Sequence, residues 1–77
     1  MKKPKNYDGL LVQIANNIRL CRKRKGLTQE NMADLGFNYR FYQKLESGTY
    51  SPNLKTLFRI SQALGVSVSD LTSYENS

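Results

Sequence analysis

Histidine and tryptophan are absent from this chain, and cysteine occurs once, at Cys21. Each shortage excludes something. Without histidine the commonest general base is missing, and so are the usual Cys/His spacings of a structural zinc site. A lone cysteine cannot close an internal disulfide. Carboxylates are scarce as well: Asp8, Glu30, Asp34, Glu46, Asp70 and Glu75 stand singly among basic residues, so neither an acid–base pair nor a cation cage is expected. Small basic chains with no base, nucleophile or phosphate loop rarely catalyse, and the expectation is of a protein that is not an enzyme and takes no metal and no cofactor. Long apolar runs are missing too. No stretch approaches the ~18 apolar residues of a spanning helix, and Lys2, Lys3 and Lys5 are not followed by the apolar segment of a signal peptide. A cytoplasmic location with no membrane partner is expected.

What the chain has in excess is positive charge. Twelve Lys and Arg against six Asp and Glu give a net charge of +6, which favours a polyanionic partner. Nucleic acid and an anionic membrane surface both fit that charge, but the apolar helix faces described below are needed internally, which argues against the membrane. At 77 residues the chain is one domain at most, and no small-molecule effector domain is expected within it.

Residues 1–8 are polar, lysine-rich and contain Pro4, the composition of a flexible basic N-terminal arm. Residues 9–74 read as one folded unit, and 75–77 as a frayed end. In the first helix, Gly9 to Lys25, Leu11, Ile14, Ala15, Ile18, Cys21 and Arg22 recur at helical spacing, and Gly26 stops it. Cys21 sits on that stripe, so it reads as a small core residue rather than a reactive thiol. Thr28 is a good N-cap for a short second helix, Gln29 to Leu35, and Gly36 supplies a turn. Asn38 caps a third, Tyr39 to Glu46, with Phe41 or Tyr42 and Leu45 inward and Tyr39, Arg40, Gln43 and Lys44 outward. Residues 47–52 are rich in turn formers. A fourth helix starts near Asn53, carries Leu54, Leu57, Phe58, Ile60, Ser61 and Leu64, and ends at Gly65. Ser67 or Ser69 caps a last one containing Asp70 and Leu71. With no strand signal of any length, the fold class is all-α, about five short helices.

A short helix, a glycine turn and a second helix with polar outward residues is the sequence form of a helix-turn-helix. Composition alone does not single it out. Residues 10–73, however, contain four motifs in order: Ile18 to Glu30 (IRLCRKRKGLTQE), Tyr42 to Gly48 (YQKLESG), Ser51 to Leu57 (SPNLKTL) and Ala63 to Leu71 (ALGVSVSDL). In these the chain resembles the Cro/C1-type (XRE-like) helix-turn-helix family of phage repressors and bacterial regulators. The resemblance implies a five-helix bundle of the lambda-repressor-like DNA-binding domain type. It also implies a repressor-like regulator that binds double-stranded DNA as a homodimer. Two features depart from the family pattern: the stretch from Leu27 to Gly36 is one residue shorter, and Phe37, Tyr39, Phe41 and Tyr42 make the recognition segment unusually aromatic.

The residues sort by what they could do on DNA. Tyr39, Arg40, Gln43 and Lys44 are candidates for base edges, since they form one strip narrow enough for a major groove about 12 Å wide. Arg40 suits a guanine and Gln43 an adenine, while Tyr39 could touch a thymine methyl or a phosphate; the plain alternative is an ordinary solvated helix face. Gln29, at the amino end of its helix, can meet a phosphate or simply be solvated. Thr28, Asn38, Thr49, Tyr50 and Lys55 complete the candidate phosphate contacts. By the resemblance, Arg22 and Glu46 form a structural ion pair joining the first helix to the end of the third. Val66, Val68, Leu71 and Tyr74 are where two subunits would pair. The rival reading is an antitoxin or protein-interaction module that uses the same domain for autoregulation.

Overall fold

In a computed structural model, which describes residues 4–73, five α-helices follow one another and no strand occurs among the described residues. They are α1 (Tyr7–Arg24), α2 (Gln29–Asp34), α3 (Tyr39–Ser47), α4 (Leu54–Leu64) and α5 (Val68–Thr72). Every one opens on a side-chain cap of the kind an exposed first turn needs. The Asn6 side chain accepts from the Gly9 amide, so α1 begins at Tyr7 rather than at Gly9 and takes in two residues expected to lie in the arm. Thr28 and Asn31 form a reciprocal capping box on α2, Asn38 caps α3, Asn53 caps α4, and Ser67 rather than Ser69 caps α5 in a box with Asp70. The second helix stops at Asp34, with Leu35 as its C-cap, and the third continues one residue past Glu46.

Helix α1 runs through the middle of the bundle and packs on α3, α4 and α5, while α2 lies against α3. Its stripe of Ile14, Ala15, Ile18, Cys21 and Arg22 is buried as its spacing requires. Tyr42, Ile18, Met32, Ile60 and Leu71 are fully buried, each contributing on the order of 1.5–3 kcal/mol through its apolar surface. Of the two candidates for the inward position on α3, Tyr42 takes it. Phe41 is half-buried and sets its ring edge-on to Tyr50, centroids 4.8 Å apart. Asn17 is also buried, which its polarity did not suggest. Its Nδ2 donates to the carbonyls of Leu71 and Ser73 and its Oδ1 accepts from Gln13, so a single amide ties the last turn of α5 to α1.

Of the residues expected to pair two subunits, Leu71 is fully buried and so belongs to the subunit's own core, Val66 and Val68 are partly buried against that core, and Tyr74 lies outside the described residues. Leu54 and Phe58, one turn apart on α4, are 72% and 54% exposed and keep helical spacing without entering the core. Among the described residues, exposed aliphatic and phenylalanine side chains lie on α4 (Leu54, Phe58), on α1 (Val12, Leu20) and at Leu35 beyond α2.

Gly48 shows how α3 is stopped. Its φ of +80° lies in the left-handed region, and a Cβ there would sit 3.3 Å from both Cα and Cγ2 of Val12 in α1. Shape and backbone angle both demand glycine. Gly48→Ala is expected to lower stability by about 1–3 kcal/mol, read as a lower urea midpoint at an unchanged slope. A midpoint equal to that of the parent would show that this close approach relaxes freely.

Candidate nucleic-acid interface

The interface is assembled around a buried ion pair. Arg22, on the inner face of α1, presents Nε to Glu46 Oε2 at 2.6 Å and Nη2 to Oε1 at 3.0 Å, a bidentate arrangement. Its remaining Nη1 donates to the Leu27 carbonyl at 2.8 Å, which pins the loop leading into α2. One guanidinium therefore joins three segments: α1, the α1–α2 loop and the C-terminal half of α3. Both side chains are nearly out of water, so each needs the other. Burial alone would raise the Glu46 carboxyl, but hydrogen bonds from Arg22 and Gln29, with the Tyr42 hydroxyl close by, outweigh it and hold the group below the ordinary carboxylate range. The hydrogen bond to Glu46 likewise pushes Arg22 up, against the opposing effect of its burial. Tyr42 is fully buried beside the pair, and burial drives its phenol far above the ordinary tyrosine range. Its hydroxyl has no partner at full hydrogen-bond geometry, so Glu46 acts on it as a close neighbour.

A second layer stands on this pair. Gln29 Nε2 donates to Glu46 Oε1 at 3.0 Å. Gln43 Nε2 approaches Gln29 Oε1 at 3.5 Å and donates to the Tyr39 hydroxyl at 3.1 Å. The first helical residue of α2 and two outward residues of α3 thus form one chain of hydrogen bonds running from the interior to the surface. Sequence reasoning offered Gln29 either a phosphate or plain solvation; in the structure its side chain is half-buried and its Nε2 is engaged by Glu46. No spacing rule could have found that link, because Gln29 and Glu46 meet only when α2 crosses α3.

The expected base-edge residues Tyr39, Arg40, Gln43 and Lys44 are all exposed. They are two i, i+4 pairs on one side of α3, so they do form a single strip. Thr28 and Asn38 are exposed at the amino ends of α2 and α3, where their side-chain oxygens accept from Asn31 and Phe41 amides. Thr49 and Tyr50 follow the end of α3, with Thr49 joined to the Ser47 hydroxyl at 2.8 Å and Tyr50 resting on Phe41. Lys55 is exposed in the first turn of α4. The start of α1 reaches the same loop through a hydrogen bond between the hydroxyls of Tyr7 and Ser51.

The turn between α2 and α3 is held from behind by a residue the sequence did not point to. Arg59 of α4 stacks its guanidinium 4.8 Å from the Phe37 ring centre and reaches the Gly36 carbonyl at 3.4 Å. Phe37 is buried and Gly36 has φ +102°, so the turn's conformation is set by glycine and its position by Arg59. Cys21 is buried, and burial pushes its thiol up, away from the reactive thiolate. Among the described residues no cluster of metal-ligating side chains occurs, and no helix is long and apolar enough to cross a membrane.

This is the arrangement of a helix-turn-helix: α2, a glycine turn, and α3 held with a polar face outward. The helix-turn-helix family profile matches residues 18–71, and the chain belongs to that family, in its Cro/C1-type branch. It is 44% identical over 64 residues to the uncharacterised HTH-type transcriptional regulator YqaE of Bacillus subtilis, covering 82% of this chain and 55% of that protein. It is 39% identical over 56 residues to the cryptic phage CTXphi transcriptional repressor RstR of Vibrio cholerae, covering 69% of this chain and 50% of RstR. The chain therefore spans about half the length of these two curated relatives. In structure it is similar to the hypothetical transcription factor NHTF from Neisseria, with a TM-score of 0.79 and 26% identity over 95% of this chain and 85% of that one.

The depressed Glu46 carboxyl makes a pH-dependent contribution to stability. A carboxylate held below its unfolded value, about 4.3, stabilises the fold above that pH and loses the contribution as pH falls through the folded value. Glu46→Gln is therefore expected to cost ~3–5 kcal/mol near neutrality, a gap that narrows in acid as pH falls below the unfolded carboxyl's value toward the lower folded one and the parent loses the carboxylate's contribution. Urea unfolding of both proteins at pH 7 and pH 3 measures it. An equal gap at the two pH values would contradict the coupling.

Proposed function

We propose that the chain is a sequence-specific regulator of repressor type that binds double-stranded DNA, laying α3, about residues 38–46, in the major groove. The observation that carries this reading is the exposed strip of Tyr39, Arg40, Gln43 and Lys44, held rigid from beneath by the buried Arg22–Glu46 pair. A reading head needs such support, because base-edge hydrogen bonds discriminate only when the donors are already in place. Family membership supports it, as does the naming of the similar proteins as transcriptional regulators and, for RstR, as a repressor.

Around that strip, the reading assigns backbone phosphates to Thr28, Asn38, Thr49, Tyr50 and Lys55. Thr28 and Asn38 use their oxygens as caps, which leaves the hydroxyl proton and the amide protons to donate. Gln29 would meet phosphate through its backbone amide rather than its side chain. The lysines of residues 1–5 would add attraction to the backbone that weakens with salt. The net charge of +6 supports all of these contacts.

Arg40→Ala is expected to weaken the preferred site by ~1–3 kcal/mol and to relax preference at one base position, with the fold intact. Selection from a random duplex library, followed by titration of the best site and of random DNA, tests it. Equal losses on both would defeat base reading by Arg40.

The protein would act as a homodimer, since members of this family type read two half-sites about one helical turn apart. Leu54 and Phe58 support a pairing surface on α4, being large apolar groups that the subunit's own core leaves exposed. Phe58→Lys should shift sedimentation toward monomer without lowering the unfolding temperature. A dimer of unchanged strength would place the contact elsewhere.

A further inference from the structure

The chain of hydrogen bonds from Glu46 to the surface has a direction, and that direction limits what Gln43 can read. Glu46 is ionised and buried, and an ionised carboxylate only accepts. Gln29 must therefore turn its NH2 inward to Oε1, at 3.0 Å, which leaves its own carbonyl oxygen facing α3. That oxygen can only accept. Gln43 must in turn present its NH2 to Gln29, and the second proton of the same NH2 goes to the Tyr39 hydroxyl at 3.1 Å. Both amide protons of Gln43 are thus engaged within the protein. The group left for a ligand is its carbonyl oxygen, and the Tyr39 hydroxyl, which accepts from Gln43, keeps its own proton to donate.

From this polarity we infer that Gln43 reads DNA as an acceptor only, and that Gln29 is the positioning residue that makes it so. In the major groove an acceptor finds a donor on the N6 amino group of adenine or the N4 amino group of cytosine, and none on guanine or thymine. A free glutamine would instead pair bidentately with adenine, using NH2 on N7 and the carbonyl on N6. Held as it is, Gln43 admits both amino-bearing bases and rejects the other two. This corrects the adenine preference expected from the residue type, and it rests on the reading of α3 as the recognition helix.

Selection from random duplexes tests it, with the parent, Gln43→Ala and Gln29→Met compared. Gln43→Ala should flatten one position of the selected site, and at that position the parent should accept adenine and cytosine at comparable frequency. Gln29→Met keeps the length of the side chain but frees the Gln43 amide, so the same position should narrow to adenine by about tenfold, the size of one added base-edge hydrogen bond. Thermal unfolding of Gln29→Met shows whether it folds, and if it does not, the parent's base preference at that position decides the matter by itself. A parent that selects no sequence at all overturns the DNA-reading function. A parent with a defined site overturns only this inference if the Gln43 position is adenine alone, guanine or thymine, if Gln43→Ala flattens nothing, or if folded Gln29→Met leaves the position unchanged.

Discussion

The Arg22–Glu46 pair is the contact from which the rest of the interface is suspended. Its two oxygens receive both edges of one guanidinium, and the third edge holds the Leu27 carbonyl. Removing water from two charges is unfavourable, and only this geometry, with further donors on the carboxylate, offsets it. The consequence is positional rather than simply stabilising. A helix of nine residues such as α3 is marginal by itself, and here its C-terminal half cannot move without separating charges in a dry environment. Tyr42, Gln29 and, through Gln29, Gln43 all take their places from the same carboxylate.

Around that pair the fold uses small, local devices. Five side-chain caps set where helices begin, and positive-φ glycines follow or end four of the five helices. Arg59 reaches across from α4 to hold the turn between α2 and α3, and Asn17 does the same for the end of α5. These polar clamps matter in so short a chain. A domain of this size buries only ~60% of its unfolded surface, so hydrogen bonds at the helix junctions supplement the core in defining one arrangement.

The division of labour between rigid and adaptable parts follows from the same geometry. Tyr39 and Gln43 are tethered to the interior through Gln29, whereas Arg40 and Lys44 are exposed on the same helix. A tethered group has a fixed hydrogen-bonding sense. A longer cationic side chain on the exposed face is free to adjust its rotamer. One strip of four residues thus combines a preset element with an adaptive one.

Much of this was written into the chain in local terms. The spacing of Ile14, Ile18 and Cys21, the caps Thr28 and Asn38, and the glycines after the first four helices determine the helices, because helical periodicity and capping depend on residues within a few positions of one another. The four motifs carried the family and with it the pairing of Arg22 with Glu46. The tertiary structure decided what depends on the crossing of distant segments. It turned Gln29 inward, chose Tyr42 over Phe41 for the interior, drew Leu71 into the core and packed Val66 and Val68 against it, and left Leu54 and Phe58 outside it. Those outcomes turn on which face of one helix meets which face of another, a relation between residues up to 54 positions apart, as in the Asn17–Leu71 bond, that no local pattern encodes.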